Sequence, residues 1–307
     1  MSETANQIEK LVGLEVSSSS LKAVCLDKNK TLTSKHNVLL DEGQETFAQT
    51  INFINELKNR FGNFDRIGIA VPGLIHRQTK RVAFSTFIPE HETFDFAGEI
   101  EAATNLKVTI ENDANAAAFG EFVLGAGRRS RDIFYVTLGR GIGGALILDG
   151  KIWRGASGFA GEFGHITINS EGMKLEDVAS AANIVRRTKN RFHHDHASSL
   201  NNLQEENIKL TDVVQAAKND DDFAQMMLER TGTFVGMAVA SVINLLNIEK
   251  IVVGGKILQA EHLVLDAIVQ RAKELSFPPS FEATQIVEGE LGEDAAAVGV
   301  ALISAQF

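Results

Sequence analysis

Apolar residues in this chain fall into short runs punctuated by glycine, serine and asparagine, alternating with longer stretches of helical spacing. Leu11–Val16 and Leu21–Leu26 read as strands separated by four serines, Ser17 to Ser20. Lys28-Asn29-Lys30 marks a second turn, and residues 31–40 a third strand. Over residues 43–61, Phe47, Ile51, Phe53, Ile54 and Leu57 recur at helical intervals. Residues 66–71 form a buried-type strand that ends at Pro72-Gly73, a turn dipeptide. Residues 74–94 read as irregular, 96–103 as a short helix and 107–110 as a strand. That strand runs into Glu111-Asn112-Asp113, where Asn and Asp suit a helix start.

From residue 132 the pattern restarts. A strand (132–138), a glycine turn (139–144), a second strand (145–148), Asp149-Gly150 and a third strand from Lys151 echo residues 11–38. Asp-Gly between apolar runs is a tight-hairpin signal. The echo predicts one supersecondary unit used twice, once per domain. Helices follow at 175–190, 210–218, 221–246 and 261–275, with a strand at 250–253 that ends at Gly254-Gly255. The last helix, from Asp294, is built of small residues that allow close packing. The expected domains are residues 1–118 with 295–307, and residues 119–294.

Composition narrows the function. The chain has 307 residues, 44% hydrophobic and 23% charged, an ordinary globular balance. A formal charge of −10 argues against a nucleic-acid partner, which would leave a basic footprint. The single cysteine, Cys25, excludes a disulfide framework and a cysteine-based zinc site, and its apolar run suits a core residue. No signal peptide and no apolar run of membrane-spanning length is read, so the expected location is the cytoplasm, without a membrane partner. His193-His194-Asp195-His196 invites a metal reading, but a solvated loop describes it better.

Three stretches carry candidate chemistry. Gly155 to His165 holds four glycines in eleven residues and places Glu162 and His165 three apart. Such a pair suits a grip on a polyol or a metal, and the plainer alternative is a glycine-rich surface loop. Glu176 adds a carboxylate at the start of a helix expected over Leu175–Val185. Converging polar groups of this kind suit a sugar. Asp113, beside Asn112 at a strand end, is the best general-base candidate, and phosphoryl transfer to an alcohol needs such a carboxylate. The alternative is an N-cap pair with no chemistry. Each strand–turn–strand unit offers backbone N–H groups at a bend, a geometry that holds phosphate oxygens. Gly139-Arg140-Gly141 opens a run like a dinucleotide fingerprint, but a strand follows where a helix is required, so that reading fails.

These residues resemble a family. Glu111-Asn-Asp-Ala-Asn-Ala-Ala117, Leu138-Gly-x-Gly-Ile-Gly-Gly144 and Gly158-x-Ala-Gly-Glu-Phe-Gly-His165 are similar to the ROK family of bacterial sugar kinases and sugar-responsive repressors. The likeness continues through Pro72-Gly73, Leu175-Glu176 and Ile251-Val-Val-Gly-Gly255 into the last helix. It implies an α/β actin-like ATPase fold, ribonuclease H-like, with two similar lobes closing over ATP–Mg²⁺ and sugar. It implies Asp113 as the base that deprotonates a primary hydroxyl. Gly73, Asn112, Glu162, His165 and Glu176 become sugar contacts. Gly139, Arg140, Gly141, Gly254 and Gly255 become phosphate and adenosine elements, and Glu15, Ser17, Ser18 and Ser19 the opening phosphate turn. A homodimer is also implied.

Four departures stand out. The opening turn, usually Asp-x-Gly-Gly-Thr-Lys in the family, reads Glu15-Val-Ser17-Ser18-Ser19-Ser20. Arg140 stands where the family carries Thr, able to reach a phosphate or to crowd the site. The cysteine-rich zinc segment between the family's His and its last sugar Glu is replaced by residues 166–174, which lack cysteine. No zinc site is therefore expected, and packing must hold the 165–176 loop. Phe87, before Ile88-Pro89, replaces a sugar-binding Asn, which would remove a hydroxyl contact. The leading expectation is an ATP-dependent hexose kinase. An N-acetylmannosamine-type kinase and a non-catalytic sugar binder with a decayed phosphate side are the alternatives. A repressor is disfavoured, because about ten residues precede the first strand where such members carry a DNA-binding domain.

Overall fold

The computed structural model describes residues 10–85, 88, 92, 94–260 and 262–306. The expectation for Phe87 lies outside the described residues. The chain divides into two compact units. The first holds residues 1–128, 152–160 and 294–307, the second residues 129–151 and 161–293.

In the first unit, β1 (Leu11–Val16), β2 (Ser20–Leu26) and β3 (Leu32–Leu39) pair antiparallel, as the turn residues require. Helix α1 (Thr46–Phe61) then crosses to β4 (Arg66–Val71), which lies parallel to β1. A short hairpin of β5 (Leu74–Ile75) and β6 (Val82–Phe84) occupies part of the stretch read as irregular. Helix α2 (Phe96–Thr104) leads to β7 (Lys107–Asn112), parallel to β4, and α3 (Asp113–Leu124) follows without a break. The sheet order is β3-β2-β1-β4-β7.

The second unit repeats this plan, as the echo in the sequence predicts. Strands β8 (Ile133–Leu138), β9 (Ile142–Leu148) and β10 (Lys151–Ile152) open it. Asp149 and Gly150 both take positive φ, the paired left-handed geometry of a tight hairpin turn. After helices α4 (Glu176–Ala179), α5 (Ala181–Lys189), α6 (Leu210–Lys218) and α7 (Asp222–Leu246) comes β11 (Lys250–Gly254), parallel to β8. Helices α8 (His262–Leu275) and α9 (Pro278–Glu282) lead to β12 (Gln285–Glu288), giving the order β10-β9-β8-β11-β12.

The domain boundary falls after Arg128 rather than at residue 118, because α3 belongs with the closing helix α10 (Ala295–Ser304). Helix α10 lies against β1 and β4 so closely that a Cβ on Gly13 would sit 1.9 Å from the Ala297 carbonyl oxygen, and one on Gly68 2.1 Å from that of Val300. On its other side Gly299 meets α3, where a Cβ would fall 1.7 Å from the Ala116 oxygen. We expect Gly299→Ala to cost about 1–3 kcal/mol through forced separation of α3 and α10, visible as a lowered midpoint in chemical denaturation.

Two sequence expectations need correction. Residues 175–185 are not one helix. The Ala181 N–H leaves the helical ladder to bond the Gly139 carbonyl at 2.9 Å, and Ser180 between α4 and α5 is extended. Helix α7, with 25 residues and a hydropathy of 1.2, does reach the length and composition of a membrane span, but 61% of that window is buried inside the protein. It is the spine of the second unit's core, packed on α8 through Gly232 and Gly236.

Candidate active site

The sequence-predicted residues form two groups, one in each unit. The stretch from Gly155 to His165, read as one loop, is divided between them after Ala160.

In the first unit the junction of β7 and α3 is held by side chains. Asn112 is the helix cap, accepting the Asn115 N–H at 3.0 Å. Its amide also donates to the Gly73 carbonyl at 3.0 Å and to Asp113 Oδ1 at 3.1 Å. Asp113 Oδ1 accepts a second bond from the Ala114 N–H at 2.9 Å. Asn112 thus performs the capping, and Asp113 is held at the first position of the helix, where the dipole favours an anion. Gly73, Asn112 and Asp113 come together, with Asn112 as the link.

Beneath them lies a residue that sequence reasoning quoted only as part of a motif. Glu111 is 4% exposed and receives Arg154 Nε at 3.0 Å and Nη2 at 2.5 Å. Its other oxygen accepts the Asn112 N–H and Asn115 Nδ2, both at 3.0 Å. A buried carboxylate at this spot requires a cation, and Arg154 supplies it. The signal available in the sequence was a Glu directly before the Asn-Asp pair, next to the apolar Ile110 at the strand's end.

The serine turn closes on itself. Ser17 Oγ accepts the N–H groups of Ser20 at 2.9 Å and Ser19 at 3.3 Å. It also lies 2.9 Å from both the carbonyl oxygen and the Oγ of Ser20. No residue of this turn has positive φ, so serine is sterically at ease there. Ser18, between them, is half-buried. Glu15 stands opposite Lys22 in the β1–β2 register and pairs with its ammonium at 3.8 Å.

In the second unit, Glu162, His165 and Glu176 surround the glycine turn. Gly161, at φ +100°, crosses Gly144 so closely that a Cβ would lie 2.3 Å from its oxygen. This crossing carries the chain into the turn Phe163–His165, anchored by Phe163 edge-on to Phe134 at 5.1 Å. Glu176 Oε2 accepts the Ile142 N–H at 2.8 Å. With the Ala181–Gly139 bond, α4 and α5 clamp the glycine turn at both ends. Gly139, Arg140 and Gly141 form its tip, where the Gly139 N–H reaches the Gly141 oxygen at 3.0 Å. Gly254 ends β11, and Gly255 just after it, at φ +103°, passes against the Leu138 backbone.

Glu162 is the electrostatically perturbed carboxylate of this group. Protein crowded around it strips part of its solvation and raises its pKa above the ordinary value, although water still reaches the side chain. Glu176 pushes in the same direction, and His165 opposes both. Among the described residues no group of side chains that could hold a metal ion is found, and His193 Nε2 lies 3.3 Å from Glu205 Oε2 in solvent.

The ROK family profile matches residues 11–306. The chain belongs to the ROK family. A glucokinase from Halalkalibacterium halodurans is 30% identical over 94% of this chain and 92% of its own length. A xylose repressor from Bacillus spizizenii is 27% identical over 95% of this chain and 76% of its own length. The structure of a ROK family glucokinase from Streptomyces griseus, in complex with glucose and AMPPNP, superposes with a TM-score of 0.86 at 26% identity, covering 97% of this chain and all of the other. The duplicated sheets described above are the two α/β lobes of the actin-like ATPase fold that ROK proteins share.

Proposed function

We propose that this chain is an ATP-dependent, glucokinase-like hexose kinase with Asp113 as its general base. The observation that carries the reading is the β7–α3 junction. Asn112 performs the capping, and Asp113 Oδ1 is held by the Asn112 amide and the Ala114 N–H. In the reaction, Asp113 accepts the proton of the sugar's primary hydroxyl as that oxygen attacks the γ-phosphorus of ATP, whose bond to the β–γ bridging oxygen breaks so that ADP leaves. Glu162 and Glu176 accept hydrogen bonds from ring hydroxyls, and His165 makes a third contact. Asn112 adds its remaining acceptor capacity, with its donors already engaged. Glu15, the serine turn 17–19, the tip 139–141 and Gly254-Gly255 take the nucleotide side. When bound, Mg²⁺ and ATP supply the phosphoryl group and neutralise charge on it. Glu15, ion-paired with Lys22, is the carboxylate this reading gives to that ion. The enzyme is cytoplasmic and homodimeric in this reading. The exposed Leu245, Leu246, Leu275 and Phe277 at the ends of α7 and α8 support an apolar subunit contact.

The test is ADP release from Mg-ATP with a panel of hexoses and N-acetylhexosamines, alongside calorimetry of sugar binding. Turnover with glucose supports the reading, and turnover confined to an N-acetylhexosamine reassigns the substrate. Sugar binding with no turnover for any member overturns it. That last outcome belongs to the second reading, a sugar-binding homologue with a decayed phosphate side. The self-closed serine turn favours it, because Ser17 Oγ already engages N–H groups that would face a phosphate.

A pH limb follows from Glu162. A carboxylate whose pKa is raised in the folded state loses its charge at a higher pH than an ordinary one. Sugar affinity should therefore fall on acidification while other carboxylates are still ionised. Calorimetry from pH 7.5 downward should show this limb, and Glu162→Gln should remove it along with most of the affinity. An affinity that is flat until the ordinary carboxylate range would rule Glu162 out as the titrating acceptor.

A further inference from the structure

The zinc staple implied by the family resemblance does not fit the residues present here. Residues 166–175 contain no cysteine. His165 Nδ1 instead faces a cation of the chain itself, with Lys174 Nζ 3.2 Å away. An ammonium has three donors and no lone pair, so it can meet this nitrogen only by donating to it.

The loop around this contact is closed by hydrogen bonds. Thr167 and Lys174 form an antiparallel bridge. On either side, the Ile168 N–H reaches the Met173 oxygen at 2.8 Å and the Leu175 N–H reaches the Ile166 oxygen at 2.9 Å. Asn169 Oδ1 takes the Met173 N–H at 2.9 Å across the tip. Asp177 Oδ2 takes the Lys174 N–H at 3.0 Å, and Leu175 is fully buried. The backbone of Lys174 is thus pinned from both sides, and a contact between two exposed side chains costs less entropy than it otherwise would.

We propose that Lys174 is the positioning residue for His165. Its ammonium donates to Nδ1, holding His165 in the tautomer that carries its proton on Nε2. The inference rests on the sugar-kinase reading only for its consequence. An Nε2–H is a donor, so His165 donates to a sugar oxygen while Glu162 and Glu176 accept from sugar hydroxyls. Without Lys174, both tautomers of neutral imidazole are open, and in one of them an acceptor faces the sugar. Loss of one neutral donor predicts sugar binding weakened about three- to tenfold.

The experiment is long-range ¹H–¹⁵N NMR of the histidine rings in ¹⁵N-labelled full-length protein at pH 8, without sugar, for wild type, Lys174→Met and Lys174→Arg. The His165 signal is assigned by its loss in His165→Gln. The expected result is the Nε2–H tautomer in wild type, a mixture in Lys174→Met and recovery in Lys174→Arg. A wild-type Nδ1–H tautomer overturns the proposal, as does a pattern unchanged in Lys174→Met. Added zinc should leave the His165 signals in place, and a shift at stoichiometric zinc also overturns it. Glucose calorimetry on the same samples separates the two readings. An Nε2–H tautomer in a protein that binds no sugar refutes only the sugar assignment. Sugar binding with an unaffected tautomer refutes only the role of Lys174.

Discussion

Asp113→Asn should reduce phosphoryl transfer by about 10²–10⁴-fold while leaving glucose binding within about threefold of wild type. The reasoning is local. Asn keeps the side-chain oxygen that receives the Ala114 N–H at 2.9 Å, and the helix cap remains on Asn112. What is lost is the ability to take a proton. Steady-state kinetics and calorimetry on one preparation, with a melting curve as control, read all three quantities. Near-normal kcat would remove Asp113 as the base. A collapse of the melting temperature would return it to a structural role.

The second large effect is expected far from any sugar hydroxyl. Arg154→Met leaves Glu111 buried without its cation, and breaking a buried pair in this way costs about 3–5 kcal/mol. For a chain of this size the melting temperature should fall by roughly 6 °C or more. Activity should fall as well, since Glu111 Oε1 is what holds the Asn112 N–H and Asn115 Nδ2. Adding Glu111→Gln should return part of the stability, because it removes the orphaned charge, and the double-mutant cycle measures the coupling. Equal stability of Arg154→Met and wild type would show that the pair contributes little.

Much of the plan was legible beforehand because it rests on local signals. The repeat of strand, small-residue turn, strand and tight turn reported the duplicated sheet, and Asp149-Gly150 reported its hairpin. The Asn112-Asp113 pair reported a strand-to-helix junction. Other features were not legible, for reasons that share a cause. The break at Ser180 arises because the Ala181 N–H finds a carbonyl at Gly139, far away in sequence. The domain edge moved because α3 packs on a helix from the other end of the chain. Partnership across such distances leaves no local periodicity.

The site divides in the same way. Residue types and spacing by themselves determined which groups could do the chemistry: a carboxylate at a helix start, a Glu–His pair on a glycine-rich path and a further Glu. Only the tertiary structure decided what each of them is bound to. It assigned the capping to Asn112 and gave Glu111 its cation from Arg154. It closed the serine turn on Ser17, tied Glu176 to the glycine turn, and put an ammonium against His165. Hydrogen bonds and ion pairs act over about 3 Å in space and are indifferent to separation along the chain. A sequence can therefore name the reactive groups, but not the neighbours that set their charge, tautomer and aim.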